Sequence, residues 1–151
     1  MDEQVWRGCV IPRDLLYDTG LHVWVRIEGE EAVIGMTDVA QTMGGRIVQV
    51  TWKPPGRVVG RGRSVAIVES AKWVGPFPTP LTGELVAVNE EGFRRDVAVA
   101  NRDPYGAGWF ARIRPIRLRE EREHLVDGST AFDRYRAFIE EEGINCFRCE
   151  D

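Results

Sequence analysis

The sequence predicts a mainly β protein, folded as a sandwich or flattened barrel with a short helix after its first hairpin and a C-terminal helical extension. Many short apolar runs are separated by glycine and proline turns, which is typical of all-β folds. At 151 residues with 43% hydrophobic side chains, the chain can build one packed core. After Pro115 the composition changes and becomes strongly charged. We therefore divide the chain into an N-terminal segment (1–12), a β domain (13–116) and a C-terminal part (117–151).

The first hairpin and its following helix are predicted from local patterns. Residues 21–27 alternate between apolar and polar side chains, which indicates a half-buried strand. Residues 32–36 return antiparallel after a glycine-centred turn. Thr37 is a good N-cap and a glycine pair follows Met43, so a short helix is expected from Thr37 to Met43.

The remaining strands follow one another between further turns. They are predicted at residues 46–52, 65–68, 83–89 and 108–113, the last of these being the final strand of the fold. Residues 65–68 meet the turn-tolerant Glu69 and Ser70, and apolar residues resume after Lys72. This pattern predicts a hairpin that holds Lys72 at or beside its tip, in water. Taken alone, an exposed lysine on a turn is an ordinary surface residue.

The charge of the chain excludes some classes of partner. The formal net charge is −4 and the isoelectric point is near 5.3, which argues against nucleic-acid or anionic-membrane binding and favours protein partners. Lys53 and Lys72 are the only lysines, so a modifying enzyme has two candidate side-chain amines. The sequence contains neither a recognisable signal peptide nor a run that could cross a bilayer, so we predict a cytoplasmic protein. In that compartment its three cysteines are expected to be reduced thiols.

The segment around Lys72 resembles a known modification site. Glu69-Ser70-Ala71-Lys72, followed by an apolar strand and Pro80-Leu81-Thr82-Gly83, is similar to the lipoyl-attachment hairpin of biotinyl/lipoyl carrier domains and especially to the H protein of the glycine cleavage system. Two further H-protein signatures occur in the family order. The first combines His22-x-Trp24-Val25 and Gly35-x-Thr37-Asp38-x-Ala40-Gln41. The second is Asn101-x-Asp103-Pro104-Tyr105-x-x-Gly108-Trp109. The resemblance covers about residues 13–116.

This resemblance implies a hammerhead-type lipoyl carrier with covalent lipoate on Lys72. Glu69, Ser70 and Ala71 would form the attachment motif, recognised by a lipoate ligase or an octanoyltransferase. His22 and Trp24 would lie near the arm. Without the family match, the favoured interpretation of His22 is an ordinary strand histidine satisfied by a backbone carbonyl. The carrier would have no catalytic residues and no metal of its own.

Two local departures from the family pattern concern partner choice. Gly75-Pro76 replace the usual Ser/Asn-Asp/Glu pair after the lysine, and residues 93–98 lack the proline that is common in that loop. Both positions flank the lysine and the expected docking surface. They therefore concern the choice of partners and not the lipoylation.

The C-terminal part contains two features outside this resemblance. Residues 129–142 place four apolar side chains on one helical face, which predicts either a flap packed on the sandwich, the interpretation we favour, or a free docking helix. Cys146 and Cys149 then form a CxxC pair. This pair is a weak zinc signal, since a closed site needs four ligands. Reversible dithiol chemistry and incidental thiols on a mobile tail both remain open.

The context of Cys9 suggests a more specific family. Residues 8–17, which include Gly8-Cys9-x-Ile11-Pro12, look more like the lipoate-binding proteins of bacterial sulfur oxidation, members of the H-protein superfamily that serve a heterodisulfide-reductase-like complex. We therefore predict a carrier of sulfur-bound intermediates in that pathway, with Cys9, Cys146 and Cys149 as candidate redox thiols. The alternative is a glycine cleavage H protein, carrying an aminomethyl group between glycine decarboxylase, aminomethyltransferase and dihydrolipoamide dehydrogenase. An unlipoylated binding module is the third hypothesis.

Overall fold

Twelve β-strands and five α-helices make up the part of the chain that the computed structural model describes, residues 3–149. The strands are β1 Glu3–Trp6, β2 Cys9–Pro12, β3 Leu16–Asp18, β4 Val23–Glu28, β5 Glu31–Met36, β6 Ile47–Trp52, β7 Val58–Val59, β8 Ser64–Ser70, β9 Val74–Pro78, β10 Gly83–Val88, β11 Ala111–Pro115 and β12 Val126–Asp127. The helices are α1 Asp38–Gly44, α2 Glu90–Arg95, α3 Val99–Arg102, α4 Leu118–Glu121 and α5 Gly128–Glu142, with a 3-10 turn at Arg122–His124.

The strands form three antiparallel sheets. A seven-stranded sheet has the order β12-β3-β4-β5-β11-β10-β7, and a three-stranded sheet has the order β6-β8-β9. β1 and β2 pair separately as an N-terminal hairpin. The mainly β fold with a helix after the β4–β5 hairpin and a C-terminal helix is therefore confirmed. The helix begins as predicted, because the Thr37 side chain accepts a hydrogen bond from the Ala40 N–H.

The main core lies between the two larger sheets. Phe77 stacks on Phe110 with ring centroids 4.1 Å apart, and Phe93 packs on the same ring at 4.8 Å. Leu85 and Ile113 are fully buried beside them. Burial of these apolar side chains is the principal stabilisation of the sandwich.

A second core lies on the outer side of the large sheet, beneath α5 and the N-terminal hairpin. Trp24 and Val33 contribute the sheet surface, Cys9 and Ile11 the hairpin, and Tyr135 the helix. All five are at most 1% exposed. The C-terminal helix is therefore packed as a flap rather than free, and both ends of the chain share a core with the β domain.

Several elements differ from the sequence predictions. The strand expected to begin at residue 108 begins at Ala111, and it is not the last, because β12 pairs with β3 at the edge of the large sheet. α2 was not predicted because it has only six residues and contains Gly92, a weak helix former. Packing of its Phe93 against Trp52 and Phe110 accounts for its stability.

The expectation of three reduced cysteines is wrong. Cys9 and Cys146 form a disulfide, and only Cys149 is a free thiol. Gly8 adopts a φ of 78° at the turn before Cys9, and a Cβ at this position would lie 2.6 Å from the Cys146 carbonyl oxygen. The N–H of Cys146 also donates to the Arg7 carbonyl. Sequence spacing cannot reveal this pairing, because the two cysteines are 137 residues apart.

The length and composition of the described helices show whether any of them could span a membrane. Within residues 3–149, no helix combines the length and the apolar composition needed to cross a bilayer.

Candidate functional site

Lys72 projects from a hairpin whose turn is fixed by Ser70. The Ser70 N–H donates to the Trp73 carbonyl at 2.7 Å, closing the tip between β8 and β9. The Ser70 hydroxyl also donates to this carbonyl at 3.3 Å and accepts from the Lys72 N–H at 3.4 Å. Ser70 is buried, whereas Glu69, Ala71 and Lys72 are exposed. The motif thus presents the lysine on a rigid support.

The side chain of Lys72 lies against the backbone at the end of α1. A Cβ placed on Gly45 would be 3.0 Å from the Lys72 Cε, and Gly45 has a φ of 81°. Glycine is suited to both conditions, since it has no side chain and adopts positive φ readily. The sequence pattern indicates Gly44 and Gly45 only as a helix stop, and nothing in it predicts this contact.

A cleft of about 720 Å³ opens beside Lys72, and we call it the Lys72 cleft. It lies between the β3–β4 turn, α1 and the β8–β9 hairpin. Its lining is mainly apolar and includes Leu21, Met36, Met43, Ile47, Trp73 and Phe77. Such a surface accepts a hydrocarbon chain or a sulfur group and excludes water.

His22 lies in the wall of the Lys72 cleft, not in a strand. It occupies the β3–β4 turn with a φ of 59°, an uncommon conformation for a residue other than glycine. Its Nδ1 is 3.0 Å from the Tyr135 hydroxyl of α5, and its ring also packs against Phe138. Burial raises the pKa of Tyr135, so its hydroxyl stays protonated and can donate to Nδ1. The histidine is therefore satisfied by the C-terminal helix rather than by a backbone carbonyl.

Burial lowers the pKa of His22 below its ordinary value of 6.5, although the negative charge of Asp18 opposes the shift. The folded state therefore keeps His22 neutral at a pH where the unfolded chain would protonate it. This contribution to stability is fully present above pH 6.5 and is lost as the pH falls through the lowered pKa. We expect His22→Asn, chosen because asparagine tolerates positive φ, to flatten the decline in unfolding free energy between pH 7 and pH 5.

Urea unfolding at both pH values measures this slope. His124→Asn is the matched control for the substitution itself, since His124 is exposed at the end of the 3-10 turn, and the slopes of the two variants are compared. An unchanged slope in His22→Asn would show that His22 does not titrate in this way.

Trp24 lies away from the Lys72 cleft. Its ring is fully buried in the second core, and its Nε1 donates to the Pro104 carbonyl at 2.9 Å. Gly35 on the paired strand makes room for the indole, because a Cβ there would be 2.5 Å from the ring. The signature residue expected near the arm thus contributes to packing.

Gln41 and Asn101 form hydrogen bonds that stabilise the wall of the Lys72 cleft, a role that the sequence does not predict. Gln41 lines the cleft and its Oε1 accepts from the Asn101 Nδ2 at 3.1 Å. The same Nδ2 donates to the Gly45 carbonyl, and Asn101 Oδ1 accepts from the Ile47 N–H. The sequence offers one sign of this role, because Gln41 and Asn101 each belong to one of the H-protein signatures quoted above. Side-chain bonds from Asn101 therefore fix the backbone at Gly45, which Lys72 contacts, and immediately after it.

The described residues contain no group of three or more His, Cys, Asp or Glu side chains that could hold a metal ion. The chemical features of this region are one exposed amine, an apolar cleft and a neutral histidine in its wall.

Comparison with known proteins shows which family this chain matches. The model of the family described as "Glycine cleavage H-protein" matches residues 15–141. "Glycine cleavage system H protein 2" of Aquifex aeolicus is 42% identical over 142 residues, which are 93% of this chain and 88% of that protein. "Probable glycine cleavage system H protein 2" of Sulfolobus acidocaldarius is 45% identical over 146 residues, or 95% and 97% of the two chains.

A solved structure gives the same result. The crystal structure of a glycine cleavage system H protein from Mycobacterium marinum is similar to this chain with a TM-score of 0.70 and 31% sequence identity. The match covers 89% of this chain and 100% of that one.

Proposed function

Because the chain belongs to the glycine cleavage H-protein family, a family of non-catalytic carriers, we propose that it carries lipoate on Lys72. The observation that carries this proposal is the position of Lys72, exposed at a fixed hairpin tip beside an apolar cleft. Lys53, the other lysine, follows β6, and its N–H is bonded to the Val65 carbonyl. It has neither the Glu-Ser context nor a hairpin tip.

The residues around Lys72 fit a lipoyl group. Amide formation removes the charge of the lysine, so the modified side chain is suited to the apolar lining of the cleft. Met36, Met43 and Phe77 offer soft, apolar contacts for sulfur. When bound, lipoate supplies a cyclic disulfide that opens by thiol exchange and holds a group on sulfur.

The chain itself contributes positioning and shelter. Ser70 fixes the tip from which the arm extends, so the arm moves while the fold stays still. A tethered group reaches partner sites at a high effective concentration. Trp73 and Val74 beside the tip are 45% and 63% exposed, and they offer an apolar contact for a partner enzyme.

The partners we propose first are those of glycine cleavage. A lipoate ligase or octanoyltransferase would modify Lys72, and glycine decarboxylase, aminomethyltransferase and dihydrolipoamide dehydrogenase would then use the arm. The names of the relatives from two different organisms support this choice. Stimulation of glycine–bicarbonate exchange by the lipoylated protein with a glycine decarboxylase would test it.

A sulfur-oxidation carrier, serving a heterodisulfide-reductase-like complex, is the second candidate. Aquifex aeolicus has relatives numbered 2, 3 and 5, each 40–42% identical to this chain, so one organism holds several members of the family. Several carriers in one organism need not all serve one pathway. The sequence around Cys9 and the additional cysteines also support this candidate. Activity with such a complex, without glycine–bicarbonate exchange, would favour it.

Attachment itself is tested by mass spectrometry. The protein is coexpressed with a lipoate ligase in medium containing lipoate, and its intact mass and proteolytic peptides are measured. We expect one lipoyl group per chain, on Lys72. Lipoate on Lys53 would overturn the site assignment, and an unmodified chain would favour an unlipoylated binding module.

A further inference from the structure

The three cysteines are brought into one region by the fold. The Cys9–Cys146 disulfide joins the N-terminal hairpin to the segment that follows α5, residues 144–149, which we call the C-terminal segment. Cys149 lies three residues beyond Cys146, is partly exposed and carries a free thiol. All three cysteines lie outside residues 15–141, the part matched by the family model. A disulfide with a nearby thiol on the same segment is a potential exchange centre.

We propose that Cys9, Cys146 and Cys149 form an internal thiol–disulfide exchange site, with Cys149 as the nucleophile. The Cys149 thiolate attacks Sγ of Cys146, and a Cys146–Cys149 disulfide forms as the Cys9–Cys146 bond breaks. The electron pair of the broken bond leaves on the Cys9 sulfur, which takes up the proton that Cys149 released. One disulfide and one thiol are present before and after the step, so no external oxidant or reductant is needed.

The described structure is one of two mutually exclusive states. Residues 144–149 contain no helix, strand or turn, and a fully extended chain would separate residues three apart by at most roughly 10 Å. Disulfide-bonded cysteines need Cα atoms within about 7 Å. Cys146 and Cys149 therefore pair only if the segment bends into a turn. Their short separation along the chain gives the attacking thiol a high local concentration.

Bending would release the segment from α1 and α3. In the described state the Phe147 carbonyl accepts from the Gln41 Nε2 at 2.8 Å, and the Cys149 N–H donates to the Asn101 carbonyl at 3.0 Å. Arg148 Nε lies 3.4 Å from the buried carboxylate of Asp38. A turn through residues 146–149 cannot keep all of these contacts.

The released contacts lead to the Lys72 cleft. Gln41 lines this cleft, and Asn101 bonds the backbone at Gly45 and Ile47, which line it too. Exchange at the cysteines would therefore loosen the wall against which Lys72 rests. The site would act as a covalent switch between a braced and a relaxed cleft.

Disulfide mapping of the unlipoylated full chain tests the exchange without depending on the lipoyl proposal. Trypsin separates the three cysteines into peptides 8–13, 137–148 and 149–151, because Arg148 lies between the two C-terminal cysteines. The reduced protein is reoxidised in a glutathione buffer at pH 8, quenched with acid, alkylated and digested. We expect two linked pairs, 8–13 with 137–148 and 137–148 with 149–151, with alkylation moving from Cys149 to Cys9 in the second. Finding only the first pair, with Cys149 always alkylated, would overturn the proposal.

Two single variants each allow only one of the two disulfides to form. Cys149→Ser should form only the Cys9–Cys146 bond, and Cys9→Ser should form only the Cys146–Cys149 bond. Hydrogen exchange should show loss of protection at residues 144–149 and 41–47 in oxidised Cys9→Ser relative to oxidised Cys149→Ser. Two free thiols in Cys9→Ser would contradict the exchange chemistry, and equal protection in the two variants would contradict its coupling to the cleft.

Discussion

Lys72→Arg is expected to abolish lipoylation and all carrier activity while leaving the fold intact. Arginine keeps the positive charge and a long side chain but offers no amine that forms the lipoyl amide. The Lys72 side chain is exposed at a tip, where substitutions change stability by about 0.5 kcal/mol or less. Intact mass, glycine–bicarbonate exchange and thermal unfolding measure the three consequences.

Lys53→Arg is the matched control, since it removes the only other lysine. It should be lipoylated as fully as the wild type and should retain activity. Residual lipoate on Lys72→Arg would refute the attachment site. A large loss of thermal stability in that variant would instead show that the Lys72 side chain supports the fold.

Trp24→Ala is expected to have the largest effect on stability, without removing the attachment site. Trp24 is fully buried, and truncating a core tryptophan typically costs about 3–5 kcal/mol through lost burial and the cavity left behind. The Pro104 carbonyl would also lose its indole donor. For a chain of this size the unfolding temperature should fall by roughly 10 °C. Lys72 should still be lipoylated below the transition.

Trp73→Ala is the control that shows whether the loss of stability in Trp24→Ala comes from the burial of that side chain or from the removal of any tryptophan. Trp73 lies at the hairpin tip with 45% of its surface exposed, so its removal should destabilise the fold far less than that of Trp24. Calorimetry of both variants gives the comparison. Equal losses of stability would contradict the assignment of Trp24 to the second core and of Trp73 to the surface.

The β architecture and the Lys72 hairpin could be predicted because both depend on local patterns. Alternating apolar residues indicate strands, and Glu69 and Ser70 indicate a turn before the lysine. The N-cap of α1 was likewise encoded in one residue, Thr37. Such signals depend on residues that are neighbours along the chain, and the structures they predict are present in the fold.

The Lys72 cleft depends on contacts between distant residues, which no local pattern encodes. His22 meets Tyr135 across 113 positions, and Gly45 meets Lys72 across the gap between two elements. For Trp24, a local pattern exists but suggests a position other than the one observed. A signature places it in the family, but only the packing of Gly35 beneath its ring shows that it serves the core rather than the arm. Edge strand β12 has two residues, too few to produce a periodic pattern.

The disulfide between the N-terminal hairpin and the C-terminal segment also determines how the protein responds to mechanical force. Cys9 and Cys146 lie near opposite ends of the sequence, with 137 positions between them. A tension applied to the two termini would first load β1 and residues 147–149, and it would then pass through the sulfur–sulfur bond, so that the sheets and the hairpin tip between the two cysteines would carry little of it. The carrier can therefore be anchored by both ends without loading the lysine. Cutting that one bond by reduction would extend the loaded path to β2, to α5 and to the sheets between them.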